Sequence, residues 1–471
     1  MIVGIASHDA IDAPKDDEAI LFEWVESVCG GRMRASTQAS GGNRARSWAI
    51  DVQTPGGEIA EVFLRYAPPR PPGVEPYTTH REAQVYRAIA GLDIRAPRLI
   101  AEHPRIQAIL TDRAQGIAEF RRLKDAPAKQ AIAAEVMTDL ARLHALPAAH
   151  IVLDGGGQGP RIADHVASEL ATWRAMYDET GRPDPLLDLA FSWLEDNLPD
   201  PDGPVALVHG DAGPGNFLFQ DGHLTALIDW ELAHLGDPME DLAWFSMRCV
   251  MEPVPDFAAS IADYEKAAGQ QIDRARILYH RVLVSTRVVV IRHRNVTGEP
   301  AYAIVSRALN RRLLVEALSD ASGVAVSWPA PIEARATDRS AMFAHVLDDL
   351  RDVVVARSTD SQVISKAKNA AKVVKYLEAW DRLGAQVEAA ELHALITLLP
   401  QGGSVEKGLD AARQSLLSAI QTRQLNFAEA LDYFAGQAVR DAQLASSASG
   451  GIAGRHYPTL PPAHAPGQDP K

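Results

Sequence analysis

Cysteine is nearly absent from this 471-residue chain: Cys29 and Cys249 are the only two. So few, and so far apart, they exclude a disulfide framework and a cysteine-rich zinc module. Basic residues are in deficit too, 47 Lys plus Arg against 61 Asp plus Glu, a formal net charge of -14. Phosphate-backbone binding is driven by clustered Lys and Arg, so no nucleic-acid partner is expected. Long apolar runs are also lacking. The longest, Val282 to Ile291, contains Arg287 and is far too short to span a bilayer, so no membrane partner is expected either. The opening residues, MIVGIASHDAIDAPKDDEAI, have acids at Asp9 and Asp12 and no basic region leading into an apolar stretch. No secretory signal is read there, and a cytoplasmic location is expected. There is no internal repeat. The chain is 46% hydrophobic and 23% charged, values that exclude disorder, collagen or coiled coil as whole-chain readings. At about 150 residues per domain, the length predicts two to four domains.

Periodicity divides the chain. Residues 17–34 read as a helix, with Ile20, Leu21, Trp24, Val25 and Val28 at helical spacing. Ser47 to Gln53 and Ile59 to Tyr66 read as strands around a Pro-Gly-Gly turn at 55–57. A proline-dense loop precedes a helix at 79–91, and 97–112 is extended again, so 17–112 forms a small sheet with one inserted helix. From 117 onward the pattern is mainly helical. Ile132, Val136, Leu140 and Leu143 make one stripe, and Asp184-Pro185 a helix start. Short strands return at 205–208, 217–219 and 224–228, followed by helices over 239–318. Residues 324–340, VAVSWPAPIEARATDRS, read as a linker. Beyond it, 341–443 reads as an all-helical domain and 444–471 as a disordered tail rich in Pro, Gly and Ser.

The chemistry concentrates in residues 205–244, VALVHGDAGPGNFLFQDGHLTALIDWELAHLGDPMEDLAW. A buried strand ends in His209-Gly210-Asp211, and four residues separate Asp211 from Asn216. A strand at 217–219 then turns at Asp221-Gly222, and the return strand ends at Asp229. With the turn centred between 221 and 222, residue 227 faces Asn216 and Asp229 lies two positions on, roughly 7 Å by strand rise. Asn216 and Asp229 then project from one end of the hairpin, and Asp211 from a neighbouring strand end. Such hard oxygens suit Mg²⁺ shared with phosphates and water. H-x-D-x4-N followed by a later Asp matches the phosphoryl-transfer template: one Asp takes the proton of the attacking hydroxyl, while Asn and the second Asp hold the metal.

HGDAGPGN, IDWE and GDPMEDLAW together resemble the signature of the aminoglycoside phosphotransferase and choline kinase family. Within it they are most similar to the kinase half of acyl-CoA dehydrogenase family members ten and eleven. The resemblance runs over about 36–320 and is sharp at 205–244. It implies an α+β, bilobal protein-kinase-like fold, with a small β-rich N-lobe (17–112) and a mainly helical C-lobe (113–323), followed by the all-α helical domain. That last domain resembles one of unknown function. By the same resemblance Asp211 is the catalytic base, Asn216 and Asp229 are metal ligands, and His209 braces the loop; ATP and Mg²⁺ are the cofactors. Cofactor-binding residues would be Ser40, Gly41 and Gly42 over the phosphates, Arg65 on them, Glu82 paired with Arg65, and Asp112 in the adenine hinge LTDRAQG. Two departures stand out: the 40–43 loop lacks G-x-G-x-x-G, and Arg65 stands where protein kinases use Lys. The implied reaction moves the ATP γ-phosphate to the hydroxyl of a small molecule, a hydroxyacyl-CoA first, an aminoglycoside or amino alcohol next.

Plainer readings compete. Gly41 and Gly42 also fit a hairpin turn, and Arg65 with Glu82 a surface ion pair worth little. Asp237, Pro238 and Glu240 read as a helix start. Asp241 either braces the loop or lines the site, and Glu231 either assists the metal or is structural. Lys366, Lys368, Lys372 and Lys375 read as a solvated face. No A-P-E segment follows Asp229, which disfavours a protein kinase. The alternative of another class is a nucleotide-binding scaffold acting through the C-terminal helices, where a homodimer or protein partner would dock.

Overall fold

The computed structural model describes residues 15–39, 45–69, 73–294, 300–399, 408–452 and 454–462. They form two compact units, one from the described residues within 1–172, 198–281 and 457–471, the other from those within 173–197 and 282–456.

The first unit opens with helix α1 (Lys15–Cys29) and strands β1 (Arg32–Ala39), β2 (Arg46–Gln53) and β3 (Ile59–Tyr66), followed by helix α2 (Thr79–Ile89) and strands β4 (Leu99–Glu102) and β5 (Ala108–Asp112). The strands make one antiparallel sheet in the order β1-β2-β3-β5-β4. Alternation selects its buried face: Trp48, Ile50 and Val52 from β2 pack with Val62, Leu64 and Tyr66 from β3 beneath Leu21 and Val25 of α1. Arg65, between two inward residues, is thereby sent to the opposite face. The first helix is shorter than its apolar spacing predicts. Glu26 Oε1 accepts from Met33 N at 2.8 Å and Arg32 pairs with Gln53, so the chain has turned into β1 by residue 32. Thr78 caps α2 by accepting from Arg81 N, and the helix buries Glu82 together with Ala83, Val85, Tyr86 and Ile89.

The rest of this unit is mainly helical. Helices α3 (Ala126–His144), α6 (Met239–Met251) and α7 (Phe257–Ala268) flank two small antiparallel pairs: β6 (Ala206–Val208) with β9 (His234–Gly236), and the hairpin of β7 (Phe217–Gln220) with β8 (His223–Leu227). β9 has no counterpart in the sequence pattern. The division between units falls within helices α4 (Ile162–Asp178) and α8 (Arg274–Arg294). The stretch expected to be a disordered tail is built into the first unit in part. Arg274 Nη1 donates to Leu460 O and Pro461 O, both at 2.8 Å, Arg281 Nη2 donates to Pro458 O, and Leu460 is buried.

The second unit is all α: α5 (Pro185–Asp196), α9 (Pro300–Ser322), α10 (Ser340–Asp348), α11 (Ser361–Leu398), α12 (Leu409–Gln421) and α13 (Phe427–Ser449). Asp184 caps α5 through Leu186 N and Leu187 N, and Arg311 Nη1 holds its other oxygen at 2.5 Å. Gln421 reaches Asp188 at 2.9 Å and Arg423 reaches Asp196 at 2.8 Å. These ties group residues 173–197 and 282–323 with the helices after 340. Helix α13 continues to Ser449, past the expected limit at 443. No described helix is long and apolar enough to cross a membrane.

Because Leu21 is fully buried between α1 and the sheet, Leu21→Ala is expected to destabilise the chain by about 2–5 kcal/mol. Urea unfolding measures this; a loss below ~1 kcal/mol would mean that α1 does not hold the sheet.

Candidate active site

The loop after β6 and the β7–β8 hairpin bring the predicted residues together. Asp221 and Gly222 both take positive φ, 51° and 84°, the geometry of a two-residue hairpin turn. The register is one residue off the even hairpin expected. Phe219 faces Leu224, but Leu218 faces Ala226, so Thr225 is an extra residue on β8. Its hydroxyl donates to Gln115 O at 2.5 Å, which accounts for the bulge. As a result Phe217 faces Leu227 and Ile228 N donates to Asn216 O at 3.0 Å. Asp229 therefore lies one position past the residue facing Asn216, not two. Asp229 itself is left-handed, at φ 68° and ψ 58°, a conformation costing a non-glycine residue on the order of 1 kcal/mol. It swings the chain from β8 into the turn Trp230–Leu232, with Trp230 Nε1 donating to Leu227 O at 3.1 Å.

The backbone of the Asp211 loop is held from three sides. Asp241, wholly buried in the first turn of α6, accepts from His209 N at 2.7 Å and Gly210 N at 2.9 Å, and meets His144 Nε2 at 3.0 Å. Of its two expected roles, this geometry is the bracing one. His209 Nε2 lies 3.0 Å from Ile228 O; a carbonyl only accepts, so Nε2 carries the hydrogen. Asn216 Nδ2 donates to Asp211 O at 2.8 Å, which leaves Asn216 Oδ1 as its available acceptor. Gly210 sits at φ 76°, and a Cβ there would lie 2.2 Å from Leu232 O.

Two arginines organise the charges. Arg65 places Nε 3.0 Å from Glu82 and Nη1 2.9 Å from Asp229, and Nη2 is paired with Glu231. With side-chain exposures of 13% for Arg65 and 2% for Glu82, this is not a surface ion pair. Arg248, on α6, forks onto Asp211: Nε donates to Oδ1 at 2.8 Å and Nη2 to Oδ2. Burial pushes Glu82 up to about 7, helped by Asp229 and Glu231 and opposed by Arg65. For Asp229, burial also acts upward, but Arg65 and Arg248 outweigh it and hold the carboxyl below its ordinary value.

The remaining predicted residues are placed differently. Ser40, Gly41 and Gly42 lie outside the described residues. Asp112 ends β5, its N–H donating to Arg98 O at 3.0 Å and its Oδ1 accepting from Arg98 N at 2.6 Å; its side chain ties two strands and is not joined to the Arg65 cluster. Sequence reasoning missed Arg248. Its one signal was its spacing, two turns after Asp241 on an apolar helix, which sets both on one face.

Asn216 Oδ1 and the Asp229 carboxylate are hard oxygens at one end of a hairpin and suit Mg²⁺. Asp229 Oδ1 is buried against Arg65 Nη1 at 2.9 Å, so a cation there would share this carboxylate with the guanidinium. Among the described residues no group of three or more His, Cys, Asp and Glu is arranged around one ion position, so an ion at these two ligands would need phosphate oxygens and water to complete its shell.

Two consequences are measurable. Between its ordinary value of 4.5 and about 7, folded Glu82 keeps a proton that the unfolded chain releases. Its contribution to stability therefore falls as pH rises through that window and levels off above it. Urea unfolding of wild type and Glu82→Gln at pH 4.5, 6 and 7.5 should show wild type losing ground to the variant; parallel curves would refute the assignment. Asp241→Ala strands two buried loop N–H groups and should cost about 3 kcal/mol or more, Asp241→Asn less, since its amide oxygen still accepts one of them. Equal stability of all three proteins would show that Asp241 does not brace the loop.

Comparison with known proteins finds matches over part of the chain. The human acyl-CoA dehydrogenase family member 11 is 34% identical over 122 residues, 25% of this chain and 15% of that protein. The rat protein of that name is 30% identical over 195 residues, 39% of this chain and 25% of its own. The chain thus spans only a minor part of the curated relatives it matches. Among solved structures, a thermostable mutant of aminoglycoside phosphotransferase APH(4)-Ia, in ternary complex with AMP-PNP and hygromycin B, aligns with a TM-score of 0.40 at 20% identity, covering 64% of this chain and 94% of that one. Macrolide 2'-phosphotransferase MphH from Brachybacterium faecium aligns with a TM-score of 0.42 at 22% identity, covering 63% and 97%. The sequence model of the phosphotransferase enzyme family matches residues 36–278, from β1 through the Asp211 loop, the hairpin and α6, and the chain belongs to that family.

Proposed function

We propose that this chain transfers the γ-phosphoryl group of ATP to a hydroxyl of a small molecule. The observation that carries the reading is the joint fixing of three oxygen-bearing groups. Asn216 is tied through its amide to the Asp211 backbone, Asp229 is turned in beside it by a left-handed residue, and the loop under both is clamped by Asp241. In this reading Asp211 orients the acceptor hydroxyl and takes its proton as the oxygen bonds to the γ-phosphorus; the bond to the β-phosphate oxygen breaks and ADP leaves. Asn216 and Asp229 would hold Mg²⁺, which would supply positive charge against that of the phosphates. Arg65, released from part of its carboxylate load, steadies the phosphates, and Glu82 and Glu231 keep it in place.

The acceptor follows from the relatives only by analogy. A hydroxyacyl-CoA thioester is the first choice, because residues 205–244 resemble the kinase half of acyl-CoA dehydrogenase family members, with aminoglycosides and amino alcohols next. Mass spectrometry of reactions with Mg-ATP and a panel of these three classes tests the reading. Product should form from one class, and Asp211→Ala should reduce turnover by at least about 100-fold while Mg-ATP binding stays within a few-fold. Undiminished turnover in Asp211→Ala would overturn Asp211 as the base.

A further inference from the structure

Arg248 has no part in the chemistry described so far, yet it grips the proposed base with both arms of its guanidinium. Its side chain is 8% exposed and that of Asp211 15%. It stands two turns along α6 from Asp241, so one helix face supplies both the clamp on the loop backbone and the partner of its side chain. The loop rests directly on the Arg248 stem: a Cβ at Gly213, which is at φ 133°, would lie 2.8 Å from Arg248 Cβ.

We infer that Arg248 is the positioning residue for Asp211, an inference that rests on the phosphoryl-transfer reading above. A planar fork bonded to both oxygens fixes the rotation of the carboxylate, which a single bond would leave free. Each oxygen accepts one N–H from Arg248 and keeps a lone pair for the acceptor hydroxyl. The guanidinium also supplies the counter-charge that lets a nearly buried carboxylate sit beside Asp229. Arg248 therefore acts through Asp211 and makes no contact of its own with the transferred phosphate.

The test uses the full chain with Mg-ATP, read as ADP release alone and with whichever panel acceptor gives product. Arg248→Met should lower kcat by about 10- to 100-fold and leave KM for Mg-ATP within twofold. Arg248→Lys should recover only part of the loss, because an ammonium cannot form the fork. Asp211→Asn with Arg248→Met in one chain should be no slower than Asp211→Asn alone, since the two residues act as one unit. Losses that multiply in the double variant would place Arg248 on the phosphate and overturn the inference, as would a wild-type rate in Arg248→Met. Arg248→Lys, which keeps charge and stem, carries the same double-variant comparison if the Met variant does not fold. Should Asp211→Asn equal wild type, the base itself falls and the inference with it, whereas a slow Asp211→Asn beside an unaffected Arg248→Met removes the Arg248 role alone.

Discussion

Four carboxylates meet around two arginines, and the geometry of the site depends on that arrangement. Glu82, Asp229 and Glu231 share Arg65, and Asp211 is held by Arg248. Buried carboxylates this close repel one another, and without the guanidiniums the cheapest response would be to take up protons or turn outward. Glu82, the most buried of Arg65's three partners, shows the strain that remains in its upward shift to about 7, while Asp229, influenced by both arginines, moves downward. Burial pushes both groups upward; for Glu82 its carboxylate neighbours add to that push, and for Asp229 two arginines outweigh it.

Charge alone would not set distances to a fraction of an ångström; the backbone does that. Asp241 accepts two successive loop N–H groups, His209 bonds across to Ile228 O, and Asn216 bonds back to Asp211 O. Each of these bonds ends on a backbone group of the loop or of Ile228, just past β8. Arg65 arrives by a different route. It lies on the face of β3 opposite the one that packs under α1, so the sheet core fixes its starting point.

Much of this was legible from local spacing. H-x-D-x4-N and the later Asp are separated by short loops, where a few residues decide the geometry, and Arg65 follows from two-residue alternation. What escaped the sequence depends on contacts between distant segments. The bulge at Thr225 is bonded to Gln115, 110 residues away, and it moved the hairpin register by one. Arg248 looks like one polar residue in an apolar helix until the loop is seen resting on it. The grouping of α5 with the C-terminal helices rests on pairs such as Asp188 with Gln421, 233 residues apart, which no local pattern encodes.

The charge count also constrains what such a cluster can receive. Among the described residues, four carboxylates against two arginines leave the cluster net negative when all ionise, and a bare polyanion would be repelled at these distances. A divalent cation would cancel that excess without reversing it, and at Asp229 it would share the carboxylate with Arg65, whose Nη1 stands 2.9 Å away. Glu82 would feel such a cation in two opposed ways, since neutralising Asp229 favours its ionised form and drawing Arg65 away disfavours it. Arg248 takes part in this balance from the other side: its fork fixes the rotation of the Asp211 carboxylate, and its charge also helps hold Asp229 below its ordinary value.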